Sequence, residues 1–243
     1  MDDLNGQMAV VTGAGSGIGR AIALRLAELG VRLHLLGRQL TNLEAVAEAA
    51  RAHGAAAQCH VGDLAQPEAI QRLGGDELAL APVALLVHSA GVFAQGPLAS
   101  APVEDLDRQY AVNVRAPYLL TQLLLPKLRQ SRGQIVFINS TAGLAARAQV
   151  SQYAASKHAL KALADSLRDE VNADGVRVLT VYPGRTASPL QAAVHELEGR
   201  AYHPELLMQP EDVAEMVVSA LRLPRTAEVT DIHVRPARKL PAP

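Results

Sequence analysis

Thr12-Gly13-Ala14-Gly15-Ser16-Gly17-Ile18-Gly19 decides how the rest of the chain is read. The apolar run 8–12 precedes it, and the amphipathic stretch 18–29 follows it. Gly13 permits a tight turn, while Gly17 and Gly19 let backbone and helix come close to a pyrophosphate. The helix N-terminus beyond supplies unpaired N–H groups and a partial positive charge. A glycine-rich corner alone is weak evidence. Flanked by strand and helix, this one has the context that a dinucleotide-binding turn requires.

Outward from the turn, short apolar runs alternate with longer amphipathic stretches. Strands are expected at 8–12, 32–36, 56–61, 84–88, 134–139, 177–182 and 229–234. Several lack polar alternation, as strands buried on both faces of a parallel sheet do. Helices are expected at 18–29, 40–53, 67–78, 103–129, 150–173 and 210–221, with Pro117 and Pro126 bending the fourth. Start signals include Thr41, Asn42 and Glu44 at one entry and Gln209-Pro210-Glu211-Asp212 at another. This rhythm implies a Rossmann-type doubly wound α/β fold, a seven-stranded parallel sheet in a single domain over 1–243. The stretch 185–208 breaks the rhythm, and a loop of that length reads as a substrate lid.

Composition sets the bounds. With 243 residues, 49% hydrophobic, the chain can bury one sizeable core. A formal net charge of −1 gives no electrostatic reason to expect nucleic acid or an anionic membrane as partner. Positive charge gathers near the C-terminus, at Arg222, Arg225, Arg235, Arg238 and Lys239, and reads as a solvated or interface-lining end. Cys59 is the single cysteine and reads as a small buried apolar residue on a strand. The first residues show no signal-peptide pattern and no apolar window is long enough to span a membrane, so a cytoplasmic protein is the expectation.

Glycines at 13, 17 and 19 follow G-x-x-x-G-x-G spacing, and Thr12 precedes them. In this the chain resembles the short-chain dehydrogenase/reductase family, whose turn is T-G-x-x-x-G-x-G. The likeness runs from Thr12 to about Val234 and implies a nicotinamide cofactor over Thr12, Gly13, Gly15, Ser16, Gly17, Ile18 and Gly19. Gly37 stands where the family's acidic residue, which binds the ribose 2′-hydroxyl, would be, and Arg38 follows it. A guanidinium there suits the NADP phosphate. Ser16 replaces the family's second basic marker. NADP(H) is therefore expected ahead of NAD(H), which stays possible. Asp63-Leu64 matches the adenine-contacting pair, although Asp63 could equally cap a helix. Ala90-Gly91 matches the end of N-N-A-G, whereas His88 and Ser89 depart from it; His88 reads as a satisfied strand-end histidine. Pro183-Gly184-Arg185-Thr186-Ala187-Ser188 resembles P-G-x-V-x-T, which implies that the Thr186 backbone meets the carboxamide and that the Ser188 hydroxyl contacts the cofactor.

Tyr153 and Lys157 are four residues apart, so on a helix they share a face. By the resemblance, Ser140 and Asn113 complete a set with them. A phenol with its ordinary pKa of about 10 serves proton transfer near neutrality only when its anion is stabilised. A nearby ammonium does that. Ser140 can donate to the substrate oxygen. The resemblance implies that Lys157 also binds the nicotinamide ribose and that Asn113 holds a relay water. A structural kink is the alternative for Asn113. Tyr110, Tyr118 and Tyr182 read as packing residues, and Tyr202 as a lid contact. His195, Glu196, Glu198 and His203 read as a solvated helix face with no metal-site spacing.

These readings imply reversible NADP(H)-dependent interconversion of a carbonyl and a secondary alcohol. Val229-Thr230-Asp231-Ile232-His233-Val234-Arg235-Pro236 resembles the broad-range carbonyl and hydroxy-acid reductases of the family. One rival is a nucleotide-binding regulatory protein on the same fold without turnover. Another is an epimerase of the extended branch, which needs a further substrate domain. The partners expected are a small-molecule substrate and, by the resemblance, a second copy of the chain in a homodimer or homotetramer.

Overall fold

A computed structural model describes residues 3–75 and 82–238. The strands are β1 (Met8–Thr12), β2 (Arg32–Gly37), β3 (Ala57–Val61), β4 (Leu85–His88), β5 (Gln134–Ile138), β6 (Arg177–Pro183) and β7 (Asp231–Val234). The helices between them are α1 (Gly17–Glu28), α2 (Leu40–Ala52), α3 (Pro67–Gly75), α4 (Val103–Tyr110), α5 (Ala116–Ser131), α6 (Ser151–Val171), α7 (Pro189–Leu197) and α8 (Pro210–Leu221). All strand pairings are parallel, in the order β3-β2-β1-β4-β5-β6-β7. The winding reverses between β1 and β4, and ligands of doubly wound sheets bind above such a switch point.

Strand periodicity divides the core in two. Ala9 and Val11 of β1, with Val136 and Ile138 of β5, face the layer of α1, α2 and α8. Met8 and Val10, with Ile135 and Phe137, face the layer of α5 and α6. The Gln209 side chain accepts from the Asp212 backbone while Asp212 caps the Gln209 N–H in return, so the expected start of α8 is a full capping box.

The segment expected as one helix over 103–129 is two. A single π turn, Ala111–Arg115, separates α4 from α5 and is closed by the Ala116 N–H on the Ala111 carbonyl. Pro117 has no N–H to offer the carbonyl of Asn113 four residues back, so the α ladder fails there and the chain widens by one residue. Strand β7 begins at Asp231, two residues later than expected. The end of the expected helix 67–78 and Lys239 lie outside the described residues.

Gly13 has φ +65°, and a Cβ there would sit 2.8 Å from the backbone of Ala90. Gly54 also has positive φ, +85°, but a Cβ there meets nothing within 4 Å. Gly54→Ala is expected to lose about 1 kcal/mol from conformation alone. Gly13→Ala adds a backbone collision and should lose about 3 kcal/mol, lowering Tm by roughly 6–12 °C. Thermal unfolding of the two variants side by side checks this; equal Tm losses would remove the collision from the account.

Candidate active site

A cleft of about 1570 Å³ opens along the carboxyl edge of the sheet. Its floor includes Gly13, Gly15, Gly17, Gly37, Gly62, Gly91 and Gly184, so backbone is laid bare along its length. Ser16 begins α1 in extended conformation without side-chain capping, and no acidic residue occupies the first turn. The N–H groups of that turn are therefore left for an anion. A Cβ on Gly19 would lie 2.4 Å from the Gly13 carbonyl, which closes the turn on itself. Thr12 ties the switch point together instead of facing the groove: its hydroxyl donates to the Val87 carbonyl at 3.3 Å and accepts from Ser89 and Ala90 N–H at 3.0 and 3.1 Å.

Arg38 is exposed at the end of β2 and lines the cleft beside Gly37 and Asn42. Asp63 accepts from the Ala65 N–H at 3.0 Å and lies 3.4 Å from Arg108, while Leu64 is buried beneath. The groove thus fits an extended dinucleotide, from Arg38 and Asp63 at one end, over Ser16–Ile18, to the tyrosine at the other.

At that other end, α6 brings Tyr153 and Lys157 onto one face, with the Lys157 Nζ 5.8 Å from the centre of the phenol ring. Lys157 is buried and donates to the Ile138 carbonyl at 3.1 Å, and burial pushes its pKa down to about 8. Burial raises that of Tyr153, and a hydrogen bond with Ser140 opposes the rise. Ser140 caps the short 3-10 turn Thr141–Gly143, its Oγ accepting from the Ala142 N–H at 3.1 Å. The four sequence-predicted residues Asn113, Ser140, Tyr153 and Lys157 do not all present side chains to the cleft. Asn113 is fully buried in the π turn: its Oδ1 accepts from the Val92 N–H at 2.9 Å, and its Nδ2 donates to the Val92 carbonyl and Ser156 Oγ, each at 3.0 Å. The kink reading and the site reading meet here, because this amide fixes the β4 loop that carries Ala90 and Gly91.

Two supporting residues escaped the sequence reading. Asn139 holds the Lys157 carbonyl at 3.1 Å and the Ser140 N–H at 2.9 Å, linking β5 to α6. Phe93 meets the edge of the Tyr153 ring, centroids 4.9 Å apart. Asn139 directly precedes Ser140 and was open to notice; the partner of Phe93 is set by tertiary packing alone. His88 is the satisfied histidine expected: it is buried, 2.8 Å from Thr121 Oγ1 and stacked on Phe137, and burial pushes its pKa down to about 3.

The stretch 185–208 contains α7 and a short 3-10 turn, and a bridge between Thr186 and Met208 closes its base. Ser188 Oγ accepts from the Gln191 N–H at 3.1 Å and donates to the Thr186 carbonyl at 3.3 Å, so the hydroxyl expected on the cofactor caps α7. His195 is also not on a solvated face. It is buried against the edge of the Tyr202 ring and 3.5 Å from Arg185, whose guanidinium holds both oxygens of Glu198 at 2.7 and 2.8 Å. The Tyr202 hydroxyl accepts from the Ser188 N–H at 3.1 Å, which makes it the contact expected. Of the tyrosines expected to pack, Tyr182 is fully buried, whereas Tyr110 and Tyr118 are exposed. Cys59 is half-buried at the edge of one core layer. Among the described residues, no helix is long and apolar enough to cross a membrane.

A glycine-floored groove above a Rossmann switch point, ending on a half-buried tyrosine beside a buried lysine, defines a nicotinamide-type oxidoreductase. The chain belongs to the short-chain dehydrogenase family, whose model matches residues 7–199. An uncharacterized short-chain type dehydrogenase/reductase y4eK of Sinorhizobium fredii is 32% identical over 95% of this chain and 91% of its own. The glycine betaine reductase ATRR of Emericella nidulans is 33% identical over 96% of this chain, which spans 19% of that relative's length. A crystal structure of a metagenomic short-chain oxidoreductase in complex with NADP is 34% identical, covers 98% of this chain and 100% of its own, and superposes with a TM-score of 0.84.

Proposed function

We propose that the protein reduces a ketone or aldehyde reversibly with NADP(H), Tyr153 giving the proton. The observation that carries this reading is that Ser140 and Tyr153 line one end of a groove shaped for a dinucleotide, with the Lys157 ammonium buried 5.8 Å from the Tyr153 ring centre. NADPH, when bound, supplies a hydride at its nicotinamide C4. The substrate carbonyl carbon takes that hydride, the carbonyl π pair moves to oxygen, and the Tyr153 hydroxyl protonates it. Ser140 donates to the same oxygen as charge develops. The Lys157 ammonium favours the phenolate left behind and holds the nicotinamide ribose. Asn113 acts as a positioning residue through Val92 and Ser156, and a relay water there would sit on the widened main chain, since both ends of its amide are taken. Gly13–Gly19, Asp63, Leu64, Ala90, Gly91, Pro183, Gly184 and Thr186 line the cofactor's path. The segment 185–208 is the lid over the substrate.

Arg38 supports the phosphate-bearing cofactor, as does the NADP held by the metagenomic relative. Arg38→Ala is expected to raise KM for NADPH by about tenfold to a hundredfold with little change for NADH, one charge-assisted contact being lost. Steady-state kinetics with both cofactors test this. Wild-type kcat/KM for NADH equal to or above that for NADPH would contradict the preference.

A further inference from the structure

Charge is distributed unevenly around the cleft. Among the described residues, eight Lys and Arg line it, against two Asp and Glu. Three of the eight have work in the reading above: Arg38 at the adenosine end, Arg108 beside Asp63, and Lys157 behind Tyr153. The other five are Arg147, Arg185, Arg200, Arg235 and Arg238, and Glu198 is the carboxylate near them. All five belong to segments at the carboxyl ends of β5, β6 and β7, the half of the sheet that carries Ser140 and Tyr153. The cofactor's pyrophosphate falls to the other half, at the start of α1. Excess positive charge on the Ser140 side therefore faces the substrate.

Within this group, Arg147, Arg235 and Arg238 have no ion-pair partner among the described residues, and its place beside Tyr153 singles out Arg147. Glu198 binds Arg185 through both oxygens and lies 3.6 Å from Arg200. Arg147 is exposed to the cleft and, among the described residues, has no ion-pair partner. Its turn leads directly into α6, six residues before Tyr153. The turn is also held in place: Gln149 takes φ +66°, a left-handed conformation uncommon for that residue, and its carbonyl accepts from the Gly96 N–H at 2.8 Å. Strain of that kind persists where surrounding structure fixes it, often at ligand clamps. Arg235 approaches from the opposite side, where the absence of a side chain at Gly184 admits it: a Cβ at 184 would lie 3.3 Å from the Arg235 Cα.

We propose that the substrate of this cleft is a carbonyl compound bearing an oxyanion, a carboxylate or a phosphate monoester, which Arg147 grips. The inference rests on the hydride-transfer reading for the fate of the carbonyl but not for the binding of the anion. A guanidinium fork matches either oxyanion, and a low-charge mouth would be the expectation for neutral ketones.

The test uses the Tyr153→Phe protein loaded with NADPH, in which cofactor fluorescence reads binding without turnover, and titrates it at constant ionic strength with 4-oxopentanoate against 4-oxopentanamide and with hydroxyacetone phosphate against hydroxyacetone. At least one anion is expected to bind about tenfold or more tightly than its neutral partner, the effect of one hydrogen bond to a charged group. Arg147→Gln should erase that difference, Arg147→Lys should restore part of it, and Arg72→Gln, exposed on α3 away from the cleft, should leave it intact. Which pair responds distinguishes carboxylate from phosphate. Neutral analogues binding as well as the anions, or a preference untouched by Arg147→Gln, would overturn the proposal. Turnover of the same compounds by the wild-type protein separates the two claims. Anion binding that depends on Arg147 without NADPH consumption defeats the hydride-transfer reading alone, and reduction with no anion preference defeats this one alone.

Discussion

Tyr153→Phe keeps NADPH binding and loses turnover by about 10³-fold, the range for removal of a positioned general acid. The substitution deletes one hydroxyl. The ring still meets Phe93 edge-on and still lies 5.8 Å from the Lys157 ammonium, so the pocket wall is preserved. What is lost is the proton that the phenol beside Ser140 would give to a developing alkoxide. The variant separates chemistry from binding when NADPH affinity is read by fluorescence and kcat by NADPH consumption. More than about a tenth of wild-type kcat in the variant would refute the assignment of Tyr153.

Lys157→Met gives the second large effect, about 10²-fold or more in kcat/KM, through two separate losses. Without the ammonium, burial pushes the phenol toward its neutral form and nothing favours the anion it must become. Without the three donors, the ribose also loses a partner. The pH profile carries the diagnostic sign. Burial lowers the Lys157 pKa to about 8, so in the cofactor-free protein the lysine is charged below that pH and neutral above it. Wild-type kcat/KM for NADPH, which reports the free enzyme, should therefore fall as pH rises through about 8, and Lys157→Met should lack that limb. An identical alkaline limb in wild type and variant would show that another group sets it. Methionine matches the length of the lysine stem, and the Ile138 carbonyl is the one protein acceptor left short, so the variant is expected to fold.

Much of the architecture is written in local pattern. The strands alternate between two buried faces and announce themselves as apolar runs, and Gly13 to Gly19 need their residue types for steric reasons visible one at a time. Tyr153 and Lys157 were legible because helical spacing is itself geometry. Readings fell short where a residue's surroundings come from distant segments. Arg235 and Arg238 read as a solvated or interface-lining end and both are exposed, but the pattern does not reveal that a parallel β7 ends on the same edge as every other strand, so that this exposed segment borders the cleft. His195 read as part of a solvated face because nothing local shows that Tyr202 and Arg185 fold over it. Ser188 matches a motif position and lines the cleft, and the part its hydroxyl also plays as cap of the helix starting at Pro189 is set by the turn it closes. Asn113 sits where Pro117 breaks the helical ladder; its low helix propensity marked the place without revealing that the amide would bind the Val92 backbone on both sides.

The account stands on hydride transfer at the Tyr153 end of the cleft, and wild-type protein with NADPH and a panel of ketones, aldehydes and oxo acids tests it directly. Loss of NADPH absorbance should depend on a carbonyl compound and match, mole for mole, the alcohol formed, with Tyr153→Phe nearly silent under the same conditions. NADPH that binds tightly but is consumed with no member of the panel would contradict the account and leave a nucleotide-binding protein without turnover on this fold.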